Sequence, residues 1–189
     1  GVGLVGSEMC IRDRYFTDQG NWKVFVNYKI NNISKENFKN YGDLITTSDK
    51  NYESINKDTT DSFFDIANIQ IIGDDKRSRL NIFQAKKRNF PLKINMLENH
   101  PFSSQVFLPF NATGFLVLVA PIGNKPKIDL IEIFKVSGGD GINFNPKVWH
   151  FPLISLENEK YITIDKKDAD NNIEIYNFEQ SEIFELNYE

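Results

Sequence analysis

Short runs in which apolar and polar residues alternate recur along this chain. Val24, Val26, Tyr28 and Ile30 alternate with Lys23, Asn27 and Lys29, which predicts a first strand over 23–30 with one solvated face, because successive strand side chains point to opposite faces. Ser34 is placed to cap a short helix through Tyr41, with Phe38 and Tyr41 on one face and Gly42 positioned to end it. Residues 48–62 are polar and read as an irregular loop able to cover a pocket mouth. Further strands are predicted at about 63–72, 79–86, 91–100, 104–109, 115–121, 129–136, 142–150, 160–165 and 173–178. Ser137-Gly-Gly-Asp-Gly141 precedes a strand-like Ile142-Asn-Phe, so it reads as a hairpin turn and not as a phosphate loop. The acidic, aromatic segment Glu179–Glu189 reads as a last strand or a docking segment. Many short strands at this spacing predict an all-β, mainly antiparallel sandwich or small barrel with one short N-terminal helix.

One stretch breaks the apolar rule. Leu92, Ile94 and Met96 alternate with Lys93 and Asn95, and continuing that phase puts Glu98 and His100 on the inward face. Pro101 supports extended backbone at His100, since the residue before a proline is pushed out of the α region. Gln105 follows after a short turn. Buried carboxylate, imidazole and carboxamide are costly unless they satisfy one another or bind a ligand or metal, which makes this stretch a site candidate. His150, the other of the two histidines, shares a face with Val148, and the bulk of Trp149 leaves open which of the two faces is inward.

Composition narrows the partners. A net charge of −4 gives no general attraction to phosphate backbones, and Lys86-Lys-Arg88 is too short to reverse it, so nucleic acid is not expected. The longest apolar run, Phe115–Ile122, is far short of a bilayer span. A single cysteine excludes an intrachain disulfide framework and fits the cytoplasm. Leu4 to Asp13 reads as the translation of a transposase adaptor used in sequencing libraries, so residues 1–14 are expected to be a non-native leader and 15–189 a single domain; Cys10 then belongs to the leader. The triplets at Asn32 and Asn111 match a glycosylation signal, but nothing else in the sequence marks secretion.

The spacing Glu98-x-His100-x4-Gln105, followed at a distance by His150, resembles the metal-binding pattern of cupins, where His, His, Glu and His usually stand. Glutamine in place of glutamate exchanges a charged oxygen for a weaker neutral one. Read without that resemblance, two histidines hydrogen-bonded within a core fit the same positions. A closer likeness lies in Phe83–Leu92, in Met96-Leu-Glu-Asn-His-Pro101 continuing through Gln105–Pro109, in Gly141–Leu153 and in Phe38–Ile45. In order and spacing these blocks resemble the ureidoglycolate lyase family from about Tyr28 to Tyr176, most specifically in Leu-Glu-x-His-Pro and Trp-His-x-Pro.

That resemblance implies a single cupin β-barrel or jelly roll, commonly homodimeric, that splits ureidoglycolate into glyoxylate and urea in purine and allantoin nitrogen recovery, with nickel or another divalent ion. It implies catalytic roles for His100, His150 and Glu98, in proton transfer or as metal ligands, with Gln105 positioning substrate or completing the metal shell. The family often has arginine where this chain has Gln84 and Asn99, and His-Arg where it has Asn145-Pro146. The substrate carries a carboxylate, so Arg88, Lys147 and Lys166 become candidates for holding it, beside Trp149 as a further lining residue. The same departures motivate an alternative reading, a diverged or non-catalytic cupin that binds a small carboxylate or sugar.

Overall fold

The computed structural model describes residues 12–16, 22–26, 28–48, 52–167 and 171–188. In chain order the early strands are β1 (Arg12–Phe16), β2 (Trp22–Val26), β3 (Ile30–Asn32), β4 (Gly42–Ile45), β5 (Glu53–Ile55) and β6 (Thr60–Ser62), with helix α1 (Lys35–Phe38) between β3 and β4. Next come β7 (Ser78–Ala85), β8 (Leu92–Ile94), β9 (Met96–Asn99), β10 (Gln105–Pro109), β11 (Phe115–Ala120) and β12 (Glu132–Val136). The chain closes with β13 (Gly141–Phe144), β14 (Trp149–His150), β15 (Ile154–Ser155), β16 (Glu159–Lys166), β17 (Glu174–Asn177) and β18 (Phe184–Leu186). No described helix is long and apolar enough to cross a membrane.

Two sheets make the body. One has the order β4-β13-β10-β16-β7; the other follows β17-β9-β14-β11-β12-β3, with β15 paired beside β11. Described pairings are antiparallel except for β12 with β3, so the expected all-β, mainly antiparallel class with a short helix holds, consistent with a cupin-type barrel. The sheets face each other across Phe107, Phe115, Val117, Val119, Phe134, Ile142, Phe144 and Tyr161. Every residue of β11 is buried. Phe115, Val117 and Val119 enter that inner core, while Leu116, Leu118 and Ala120 enter a second core with Leu97, Ile133, Trp149, Phe184 and Leu186, roofed by the β8–β18 pair. A strand buried on both faces cannot alternate, and each large side chain so buried contributes roughly 1.5–3 kcal/mol.

Several expectations change on contact with the fold. Ser34 does cap α1, through a reciprocal box with Asn37, but the helix stops at Phe38; Phe38 and Tyr41 are both buried. Gly42 opens β4 instead of ending a helix, at φ +154°, where a Cβ would lie 1.9 Å from the Asn143 carbonyl oxygen. The loop expected over 48–62 contains the β5–β6 hairpin, turned by Asn56, Lys57 and Asp58 with positive φ. The segment 63–72 is not a strand. It crosses in extended form, pinned by Asn68 N–H to Asp43 and by Gln70 N–H to Ser104 Oγ. The turn before β13 is tight, with Asp140 N–H on the Ser137 carbonyl, yet it joins two different sheets and is not a hairpin. Glu179–Glu189 does supply a last strand, β18. Of the expected leader, residues 1–11, Cys10 included, lie outside the described residues, and Arg12–Arg14 pair with Val24–Val26.

Candidate active site

The run from Leu92 to His100 is two strands. Pairing lapses at Asn95, whose carbonyl accepts the Phe178 amide, and β9 restarts in the other phase. Ile94 and Leu97, three apart, both enter the outer core. Glu98 therefore turns to the opposite, inner side. His150 pairs directly with Glu98 on one side and with Val119 on the other, and residues directly opposite in a ladder share a face. Trp149, one residue away, faces the outer core and donates its indole N–H to the Gly123 carbonyl at 2.9 Å.

On the facing sheet Gln105 opens β10 opposite Phe144 of β13. The Phe144 ring lies against the His150 imidazole at 4.2 Å between centroids and 15° between planes, and His100 sits 5.4 Å from His150. Glu98, His100 and His150 each bring one ligand atom to a common point, the three atoms lying within 4.8 Å of one another.

The hydrogen bonds settle the imidazole tautomers. Nδ1 of His100 is 2.6 Å from the Asn172 carbonyl, and Nδ1 of His150 is 2.9 Å from the Val148 carbonyl. A carbonyl only accepts, so both Nδ1 atoms carry the hydrogen and both Nε2 atoms present lone pairs. Neither Nε2 has a hydrogen-bond partner, and neither does Oε1 of Gln105, although Gln105 stands near enough to His100 to favour its protonated form. Glu98 Oε1 lies 3.7 Å from His150 Nε2, beyond hydrogen-bond range.

Burial sets the charges. It pushes the Glu98 carboxyl from 4.5 up to about 7. It lowers His150 to about 3, helped by the neighbouring His100, and lowers His100 as well. Both histidines are thus neutral at pH 7 while Glu98 is divided between its two forms. Glu98 and the two Nε2 atoms face one another as acceptors, and with Glu98 ionised none of the three brings a hydrogen to pair them; Oε1 of Gln105 is likewise unpartnered. A proton on Glu98 relieves the strain in part; a divalent cation relieves it fully. Two imidazole nitrogens, a carboxylate and a carboxamide oxygen form a borderline N/O set suited to first-row divalent metals, and the Nδ1–H bonds to carbonyls are the usual outer support of such ligands.

The described contacts tie the cations expected to hold a substrate carboxylate to other groups. The Arg88 amide bonds the Ser155 carbonyl, and Ser155 pairs with Phe115 at the end of β11 remote from Val119, roughly 13 Å along the strand. Lys147 is exposed, and it is its amide that serves the site, donating to the His100 carbonyl. The Lys166 ammonium donates to the carbonyls of Ile72 and Asp75. The positions where arginine was expected are elsewhere too. Gln84 is exposed and pairs with Lys160, while its inward neighbour Phe83 meets Phe107. Asn99 faces away from Glu98, its amide on Glu174.

Three contributors escaped the sequence reading: Phe144, the backbone of Asn172, and the pair Arg79–Asp165 on β7 and β16. Asn172 is fixed by its own side chain, which donates to Ser103 Oγ and accepts from the Phe102 amide. Tertiary packing, not local pattern, brings these groups to the histidines: Asn172 is 72 positions from His100, and Arg79 is 86 from Asp165.

Comparison with known proteins adds an independent finding. The profile of the family described as ureidoglycolate lyase matches residues 26–185. The ureidoglycolate lyase of Pseudomonas aeruginosa strain LESB58 is 34% identical over 155 residues, covering 82% of this chain and 92% of the relative. That of Pseudomonas putida strain W619 is 31% identical over 156 residues, covering 82% and 93%.

Proposed function

We propose, since this chain belongs to the ureidoglycolate lyase family, that it cleaves ureidoglycolate into glyoxylate and urea. The observation that supports this most is the convergence of Glu98, His100 and His150, whose ligand atoms lie within 4.8 Å of one another with neither Nε2 partnered, beside the unpartnered Oε1 of Gln105. Two of the missing arginines bear little on this reading, because Gln84 and Asn99 point away from that cluster.

The substrate is a carbinol whose hydroxyl and urea nitrogen share one carbon. Cleavage removes the hydroxyl proton, closes the C=O bond of glyoxylate, breaks the C–N bond, and returns a proton to the departing nitrogen, so one group that takes and gives a proton suffices. Glu98 is that group in this proposal: its carboxyl stands beside both histidine Nε2 atoms, and burial in the metal-free site raises its hold on a proton. The histidines, neutral and locked by Nδ1, act through Nε2 as acceptors and not as acids. His100, His150 and Glu98, completed by Gln105 Oε1, would hold a divalent ion, nickel in this proposal, which when bound supplies Lewis acidity for developing negative charge on oxygen. A carboxylate has two oxygens, so holding a cation with one leaves the other to exchange the proton. The Phe144 ring, stacked on His150, covers one face of that imidazole.

The proposal extends to a homodimer in the cytoplasm serving purine and allantoin nitrogen recovery. The test is release of glyoxylate and urea in equal amounts from racemic ureidoglycolate above the spontaneous rate; ammonia in place of urea would reassign the chemistry to a hydrolase.

A further inference from the structure

The proposed substrate is an anion, yet the inward groups described so far carry no positive charge, and of the cations considered above Lys166 is committed to the carbonyls of Ile72 and Asp75. We infer that Arg79, held in place by Asp165, takes the substrate carboxylate and so sets the preference for an α-carboxylated ureide; this rests on the ureidoglycolate reading and names the anchor that reading requires.

The placement follows from register. Arg79 pairs with Asp165 across β7 and β16. Val106 pairs with Ile164, so the next pair in that ladder sets Asp165 across from Gln105, which pairs in turn with Phe144. Phe144, Gln105, Asp165 and Arg79 thus form one row on the inner face of the five-stranded sheet, opposite the row that holds Glu98, His150 and Val119. Two of the four already touch the histidines. Arg79 stands two strands beyond Gln105, roughly 10 Å between Cα atoms, a gap that the arginine side chain and a small substrate together span.

Asp165 is only 7% exposed and accepts from Arg79 Nε at 2.7 Å and Nη2 at 3.2 Å, with Asn81 also directed at it. A carboxylate that buried fixes the guanidinium, whereas the Arg79 side chain is 46% exposed and reachable from solvent. A guanidinium is planar, permanently charged and matched to carboxylate geometry, properties a lysine at the same place would not reproduce. Removing the guanidinium also leaves the buried Asp165 without its charge partner, so Arg79→Ala should melt lower in either case, and it is KM and oxalurate affinity that separate a binding role from a purely structural one.

The experiment compares wild type with Arg79→Ala, Arg79→Lys, Asp165→Asn and, as a nearby surface control, Arg77→Ala. Each protein is loaded with nickel and assayed in two ways: glyoxylate release from racemic ureidoglycolate, and calorimetric binding of oxalurate, a stable carboxylate with a ureide tail. Loss of a charge-assisted contact predicts that Arg79→Ala raises KM and weakens oxalurate roughly 10- to 100-fold, with kcat little changed. Arg79→Lys should recover part of that loss, added guanidinium ion should recover part of it for Arg79→Ala, and Arg77→Ala should lose nothing. Asp165→Asn should shift KM in the same direction by a smaller factor. An Arg79→Ala or Arg79→Lys protein that is folded at the assay temperature and keeps its KM and oxalurate affinity overturns the inference. A wild type that binds oxalurate through Arg79 but releases no glyoxylate overturns the lyase reading and leaves the anchor standing; one that does neither overturns both.

Discussion

Replacing Glu98 by glutamine should stabilise the metal-free protein above neutral pH and change nothing in acid. Burial raises this carboxyl from 4.5 to about 7, so the native state keeps a proton that the unfolded chain has already released. Stability therefore falls as pH rises from 4.5 to about 7, and at roughly 1.4 kcal/mol for each pH unit between those values the charged form costs the fold about 3 kcal/mol. His150 runs the other way. Its ordinary value of 6.5 is lowered to about 3, so the unfolded chain protonates first and stability is lost as pH falls from 6.5 toward 3. Between 4.5 and 6.5 the two slopes oppose each other, and this pair leaves the wild type nearly flat. Glu98→Gln removes one slope and exposes the other. Urea denaturation with chelator present should show the variant ahead by up to about 3 kcal/mol at pH 8, with the gain vanishing near pH 4.5. A variant no more stable than wild type at pH 8 would mean that the carboxylate is solvated, and the case for a strained acceptor cluster would fail.

Other outcomes follow from the same geometry. Divalent-ion affinity should climb with pH while Glu98 gives up its proton, by at most about tenfold per unit, and level off above about 7; calorimetry giving the same affinity at pH 5.5 and 7.5 would remove Glu98 from the ligand set. His100→Ala and His150→Ala should each lower turnover by roughly 10²–10⁴-fold in proteins whose circular dichroism matches wild type, and full turnover from both would end their assignment. Gly42→Ala should unfold well below wild type in a thermal melt, since backbone strain alone costs about 1–3 kcal/mol and the new Cβ meets the Asn143 carbonyl; an unchanged melting temperature would contradict the β4–β13 packing. Gln84→Arg should leave kcat/KM unchanged, because the side chain is exposed beside Lys160 away from the cluster; a gain would show that this face shapes the site.

The strands at β7, β10, β11, β12, β16 and β17 were legible because each is an apolar or alternating run bounded by turn residues. Glu98, His100, Gln105 and His150 were legible as polar groups among apolar ones; alternation from Leu92 placed Glu98 and His100 inward, as found, although the unbroken run it assumed is two strands. One residue of broken pairing at Asn95 inverts the faces, and periodicity has no term for it. The segment 63–72 has the composition of a strand but meets side chains and loop backbone instead of a free strand edge, so propensity gave way to context. Asn172 acts through its carbonyl, which any residue has, and Arg79 through a register two strands from Gln105; neither leaves a local mark.

The most direct test of the account is product release from racemic ureidoglycolate by the purified protein, measured with added nickel and with chelator. Equal release of glyoxylate and urea above the spontaneous rate, lost with chelator and restored by nickel, is the predicted result. No release above that rate with nickel present would contradict it.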